Sequence, residues 1–545
     1  MKNFSIACRV SKVVILCLLG LGQIPLVNAQ STFQKTYKNV DGIQANSVAL
    51  TSDSGIAISG WYNVDGFGTA EFVLLRADSN GNKKWASTYG EKIDKRAKKK
   101  NGSGNECYSI LETLDKGFLL VGEVHSFGAG KSDIYVVKVD NNGDTMWSRT
   151  YGGIESDYGE SAAATSDSGF VITGFTESFG AGLRDIYILR LNALGDTLWT
   201  KTLGGVSTES AKDIAITSNG DIIITGFTFS YGAGNADAYL AKIDKFGNLL
   251  WEKSYGGLLN DYGYSVDVCN DAGYIISGAT ESFGAGEQDV YVIKTDSNGN
   301  MLWSKTYGGE RFDTGNAIQE TSDRGFIIAG STNSFNLDWE DAYLIKLDSI
   351  GDTLWTQSYG GAFTDIAKDV KQYYDNGYIM VGYTQSFGFN RITSYVIRTD
   401  SLGVSGCHQR KTTTTVQSAS SIQNTTNSNE SFGGDISRSP TVTGNTLLSY
   451  SNWCDSTVSV INKILADAIN IYPNPAYNFI KIELNSNSLS SPNTIELFRL
   501  DGQLVKKVSI EDTTIEIDIS DLTPGIYLLS CTNPNGKVYT KIIKE

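Results

Sequence analysis

The residues able to do chemistry are few. The 545-residue chain holds only two histidines, His125 and His408, which argues against a His-clustered zinc site and against a Ser-His-Asp triad. Cys107, Cys269, Cys407, Cys454 and Cys531 remain once an N-terminal leader carrying Cys8 and Cys17 is set aside. Their number is odd and no CxxC spacing occurs, so thiolate metal binding is not expected. Cys407 and Cys454 flank one irregular region, and either pair as a disulfide or stay as isolated thiols. Asp133, Asp185, Asp237, Asp289 and Asp341 recur two residues before a Tyr. A ring of carboxylates could bind calcium, but capping of turn amides by the Asp side chain is the favoured reading. Asp140-Asn141-Asn142-Gly143-Asp144 looks like a calcium loop until its twelfth position, where Tyr151 stands in place of a bidentate Glu. Phe179-Gly180-Ala181-Gly182 lacks the third Gly and the helix of a phosphate loop. Neither a metal nor a cofactor is expected.

These residues sit on a repeat. Trp85, Trp147, Trp199, Trp251, Trp303 and Trp355 are separated by 62 and then four times by 52 residues. A period of that length signals stacked supersecondary units. One unit, residues 157–204, reads as four short strands joined by turns such as Asp167-Ser168-Gly169 and Asn192-Ala193-Leu194-Gly195, with no amphipathic helix. Four strands per unit match a propeller blade. Strand sets begin near Gly42, Asn105, Asp157, Glu209, Asp261, Asp313 and Asp365, so the fold expected is all-β, with a seven-bladed β-propeller over residues 30–406. Thr32 to Tyr37 resembles Leu302 to Tyr307 and is expected to close the last blade as its outer strand, since an unclosed ring leaves open edges. The tryptophans are expected to fill inter-blade wedges.

The long loops between second and third strands carry Phe127, Phe179, Tyr231, Phe283, Phe335 and Phe387, one per blade in six blades. They are ligand-stacking candidates, with packing beneath the Gly-rich loop as the plainer reading. Two loops break the pattern, which makes Trp339 and Arg391 candidates. A ten-residue excess between Trp85 and Trp147 holds Lys95, Arg96, Lys98 and Lys99 within a basic patch that could hold an acidic polymer, or be a solvated loop.

Residues 1–29 read as a signal peptide: Lys2, Arg9 and Lys12, an apolar run, then Val27-Asn28-Ala29. Losing those three cations takes the net charge from −15 to −18, which speaks against a nucleic-acid partner. No later run approaches a membrane span. Residues 411–440 hold 16 Ser, Thr or Asn, and residues 407–468 read as a polar linker. From Ile469 short strands return, with Asp501-Gly502 as a hairpin turn, and residues 469–545 are expected to form a small Ig-like β-sandwich.

Residues 469–545 also resemble the C-terminal sorting domain of proteins exported by the bacterial type IX secretion system. The resemblance rests on Tyr472-Pro473-Asn474-Pro475, on Leu500-Asp501-Gly502, on Leu522-Thr523-Pro524-Gly525-Ile526-Tyr527 and on the basic, apolar end Val538 to Lys544. It implies the secretion translocon as a partner and a secreted or surface-attached product. The function expected is a non-enzymatic module binding a glycan or protein. The alternative is a propeller-based glycosidase or polysaccharide lyase, since two carboxylates suffice for glycoside hydrolysis. A quinone-cofactor dehydrogenase ranks last for want of an adjacent Cys pair, and a purely structural surface component stays open.

Overall fold

The computed structural model describes residues 32–38, 43–63, 70–90, 104–335, 339–388, 392–426, 428–431, 435–438, 442–445, 449–456, 469–473, 475–484, 493–499, 504–510, 514–533 and 536–544. The expected signal peptide lies outside them. Seven four-stranded antiparallel sheets follow one another with the anticipated period, from Ile43–Leu50 in blade 1 to Asp365–Gln372 in blade 7 as innermost strands. Blade 7 takes its fourth strand from the N-terminus, where Thr32–Lys38 pairs with Thr393–Thr399, Phe33 opposite Arg398. The fold is a closed seven-bladed propeller.

Each blade buries its apolar side chains against its neighbour, so the propeller's core is a series of seven wedges, each drawn from two adjacent blades. The tryptophans fill these wedges. Gly195, at φ +79° in the turn before the outer strand of blade 3, lies so close to Trp147 of blade 2 that a Cβ would sit 2.8 Å from the indole. A tyrosine on the outer strand of blade 2, the strand that carries Trp147, then crosses the junction: Tyr151 Oη donates to Gly195 O at 2.6 Å, as Tyr255 does to Gly299 O and Tyr307 to Gly351 O at the same distance. Leu203 occupies the matching position of blade 3 and makes no such bond. Within each blade a basic residue of the third strand pairs with an acid in the first turn, as Lys138 with Asp115 and Lys294 with Asp271, both at 2.9 Å.

The polar stretch after residue 406 is not a linker along most of its length. Residues 409–456 form seven short strands, each adding a fifth strand to one blade. Gln409–Lys411 pairs with blade 6 and Thr415–Ser418 with blade 5, and the belt continues backwards to Val442–Asn445 on blade 1 and Ser449–Ser456 on blade 7. The N-terminal strand is therefore flanked on its outer side as well. Low hydrophobicity misled the sequence reading because strand addition runs on main-chain hydrogen bonds at an otherwise open edge, not on core burial. The hydroxyls of the belt have a task of their own. Ser421 meets the buried Tyr291 phenol, Thr414 meets that of Tyr343, and Ser304 Oγ donates to Ala419 O at 2.8 Å.

Residues 469–544 form seven strands in two sheets around one core that includes Ile480, Ile482, Leu497, Tyr527 and Ile542. The first, second and fifth strands make one sheet, and the fourth, third, sixth and seventh make the other. The sandwich architecture is as expected, but the fourth strand pairs with the third, unlike the immunoglobulin constant arrangement. Tyr527 is buried, its phenol donating to Thr523 O at 2.8 Å, whereas Tyr472, Pro473, Pro475, Pro524 and Gly525 are exposed. Asn474 lies outside the described residues. Among the described residues, no helix is long and apolar enough to cross a membrane.

Deleting residues 31–40 removes the strand between Thr393–Thr399 and Ser449–Ser456. Calorimetry is expected to show a strongly lowered melting temperature for that deletion, whereas Tyr151→Phe, which loses one phenol bond, costs about 1 kcal/mol.

Candidate functional site

The site begins with a glycine. In the second strand of every blade one glycine lies against the inner strand: a Cβ on Gly226 would sit 1.9 Å from Ser210 O, and the same holds within 0.1 Å at Gly60, Gly122, Gly174, Gly278, Gly330 and Gly382. Only a missing side chain allows that approach. Opposite it the inner strand bulges by one residue, as between Ala211 and Asp213 in blade 4, and the shift recurs in all seven blades. A bulge re-aims side chains. Here the extra residues are Asn46, Tyr108, Glu160, Lys212, Tyr264, Asn316 and Lys368, and all of them line a central channel of about 350 Å³. Position is sevenfold; chemistry is not.

Deeper in the channel, acids tie neighbouring inner strands together. Asp213 accepts from Ser161 Oγ and Ser265 Oγ at 2.8 Å and from Val266 N at 3.0 Å, spanning blades 3 to 5. Asp369 accepts from Val48 N at 2.9 Å and from Lys371 Nζ at 3.1 Å. Burial raises the Asp213 carboxyl despite these donors. Burial also disfavours charge on Lys371, but Asp369, Asp213 and Asp267 together hold it above the ordinary lysine value. These groups are occupied in holding the ring.

The mouth is freer. It opens on the face where inner strands begin, and Gln44, Trp61, Glu106, Tyr108, Glu160, Lys212, Tyr264, Asn316 and Lys368 surround it. Lys212 is paired with Glu160. Lys368 has no ion pair among the described residues; its Nζ lies 5.9 Å from the centre of the Tyr383 ring, and burial lowers its ammonium more than Glu340 and Glu160 raise it. Around this rim Tyr158 stacks on Phe175 at 4.5 Å, Arg184 lies over Phe175 at 3.9 Å, and Tyr262 lies parallel to Tyr264 at 5.8 Å. On the blade 2 side, Tyr108 Oη lies 3.0 Å from Glu106 Oε2 and 2.8 Å from Glu123 Oε1. One phenol hydrogen cannot serve two carboxylates. Burial raises the Glu106 carboxyl, and the nearby Glu123 and Glu160 charges add to that. His125 Nε2 lies 3.2 Å from Glu123 Oε2 as an ion pair, although that oxygen has no well-angled hydrogen-bond donor. The Glu123 carboxylate holds His125 above its ordinary 6.5.

The candidates read from the loops fall elsewhere. Phe127, Phe179, Phe283, Phe335 and Phe387 each face the tyrosine of their own third strand, with ring centres 5.2 to 6.1 Å apart. Phe179 also lies beneath the blade-joining Gly153, where a Cβ would come within 2.8 Å of its ring. Tyr231 Oη donates to Gly204 O at 3.3 Å. The structure spreads these rings over six blades and does not gather them. Trp339 is 48% exposed and pairs with Phe363 at 6.5 Å. Arg391 and the Lys95, Arg96, Lys98 and Lys99 patch lie outside the described residues. Cys407 is disulfide-bonded, with its Sγ 3.1 Å from Trp453 O, while Cys107 and Cys269 are free; the side chain of Cys454 lies outside the described residues, and its pairing with Cys407 stands as a proposal. The mouth residues missed from the sequence had one signal: at 61, 123, 175, 227, 279, 331 and 383 an otherwise constant repeat reads Trp, Glu, Phe, Phe, Ala, Ser and Tyr.

Fold and tail together define an exported bacterial propeller. Residues 470–545 match the secretion system C-terminal sorting domain, so the chain ends in a member of that family and is a cargo of type IX secretion, destined for the cell surface or the medium. Among curated proteins, the regulatory protein FlaEY of Caulobacter vibrioides is 26% identical over 205 residues, covering 33% of this chain and 21% of that relative's length. Among solved structures, PorZ, a surface component of the type IX secretion system of Porphyromonas gingivalis, is similar over 92% of this chain and 59% of its own, at 10% identity and a TM-score of 0.37. The extracellular domain of the hybrid two component system BT3049 from B. thetaiotaomicron is similar over 92% and 68%, at 11% identity and a TM-score of 0.31. Likeness this distant transfers no residue roles.

With two histidines in the chain, labelled-histidine spectra resolve the titration of His125. It is expected to titrate above 6.5 and to fall back in Glu123→Gln. A raised histidine value stabilises the fold below the unfolded value and loses that contribution as pH rises through the folded one. The melting temperature should therefore decline across that window, and the decline should be absent in His125→Gln.

Proposed function

We propose that this secreted propeller is a non-enzymatic glycan-binding module that holds an oligosaccharide at the channel mouth. The observation that carries the reading is the convergence of non-repeated aromatic and hydrogen-bonding groups, Trp61, Tyr264, Asn316 and Lys368 among them, on one concave opening of a rigid ring. Sugars present apolar faces edged by hydroxyls, which aromatic rings flanked by amides and charges complement. The sorting tail accounts for delivery, and the secretion machinery is its partner.

A second reading has a specific observation behind it. Glu106 lines the mouth with its carboxyl raised by burial, the direction of shift that suits a general acid. Tyr108 is no base: burial disfavours its phenolate, and the adjacent Glu123 and Glu106 carboxylates add to that. A glycan array probed with the full chain, beside a reducing-sugar assay on the same panel, separates the two. Binding without turnover is the expected result. Trp61→Ala should weaken binding about tenfold, the worth of one stacking contact. Phe179→Ala should lower the melting temperature and leave affinity unchanged. Turnover abolished by Glu106→Gln would establish the enzyme instead.

A further inference from the structure

The aspartate that opens the third strand in blades 3, 4 and 5 is doing two things. One oxygen caps its own loop: Asp185 Oδ2 accepts from Gly182 N at 3.0 Å, Asp237 Oδ2 from Gly234 N at 3.2 Å and Asp289 Oδ2 from Gly286 N at 3.0 Å. That is the capping role legible in the sequence. The other oxygen is unexplained by it. Oδ1 of Asp185, Asp237 and Asp289 is buried with no hydrogen-bond partner among the described residues, on residues at most 1% exposed.

Each orphan oxygen lies near a second carboxylate, which opens the inner strand of the next blade and caps the blade-joining glycine, as Glu209 Oε2 accepts from Gly205 N at 2.7 Å and Asp261 Oδ2 from Gly257 N at 2.7 Å. A Cβ on Gly204 would sit 2.0 Å from Asp185 Oδ1 and 2.7 Å from Glu209 Oε2, so those oxygens lie within the sum of the two distances of one another. Gly256 marks the same convergence of Asp237 Oδ1 at 2.1 Å with Asp261 Oδ2 at 2.8 Å. Gly308 marks it for Asp289 Oδ1 at 2.2 Å and Asp313 Oδ2 at 2.6 Å. The first two pairs join blades 3 to 4 and 4 to 5, and the third joins 5 to 6. Among the described residues no basic side chain is paired with any of these six acids. Two buried carboxylates this close cannot both stay ionised without a counter-charge.

We infer that a hard, oxygen-seeking cation, calcium in the extracellular setting, sits between the two carboxylates at each of these three junctions. Water and main-chain oxygens would complete its shell. Among the described residues no three acidic, histidine or cysteine side chains gather at one point, so these are sparse sites and not dedicated cages. Their affinity accordingly belongs with extracellular modules, at dissociation constants of about 0.1–1 mM. The ions would act as fasteners between blades and have no part in the glycan site, so this inference is independent of the proposed function.

Equilibrium dialysis of the purified full chain against millimolar calcium chloride at neutral pH tests it, beside melting curves in calcium and in EDTA. Three ions per chain are expected, with a melting temperature that rises with calcium as mass action requires. Glu209→Gln should remove one ion and about a third of the calcium-dependent shift. The inference is overturned if the unaltered chain retains no calcium and melts identically in EDTA, in which case a shared proton supplies the counter-charge. It is equally overturned if the combined variant Glu209→Gln, Asp261→Asn, Asp313→Asn keeps three ions. The unaltered chain decides the matter even if a variant fails to fold.

Discussion

The close contact between a second-strand glycine and the inner-strand carbonyl is the constraint on which the rest of the propeller depends. At Gly226 any side chain would collide with Ser210 O. The approach forces the inner strand to bulge, and the bulge places Lys212 beside Asp213 on the lumen wall. One face of a strand thus contributes consecutive residues: Asp213 ties blades together, and Lys212 looks into the mouth. Because the glycine recurs in every blade, seven such pairs are delivered at one height. The repeat builds the position, and the individual residue decides the chemistry.

That division explains what could be read from the sequence. The tryptophan spacing and the copy of the outer strand at Thr32 to Tyr37 follow from packing and edge pairing, and both are repeated, so blade number and closure were legible. The channel was not, because attention went to the constant aromatics. Phe179 recurs for the same reason Trp147 does, as a wedge between segments that meet identically in each blade. Residues that vary at a fixed register, such as Asn46, Tyr108 and Glu160, carried the information instead. In a repeat protein, a site that breaks symmetry is written in the positions that refuse to repeat.

The belt was hidden for another reason. Composition reports how much apolar surface a segment can bury, and residues 411–440 can bury little. They have no need to. The outer edges of the blades offer hydrogen bonds, and buried phenols such as Tyr291 and Tyr343 offer their hydroxyls to Ser421 and Thr414. A serine- and threonine-rich strand is chemically suited to that surface. The sandwich tail was legible from alternation and from short motifs, while its strand order depends on pairings that alternation does not encode.

Blade 7 is assembled from three distant stretches of chain. Trp453 donates its indole N–H to Thr36 over a sequence separation of 417, and Ser394 reaches Tyr37 over one of 357. Chain closure over such separations is slow. A polypeptide emerging amino end first must therefore keep its opening segment unmated until Thr393–Thr399 has emerged. The seam is completed only by Ser449–Ser456, the last strand of the belt, so the outer flank of the toroid's opening strand is supplied by the stretch that leads into the sorting tail.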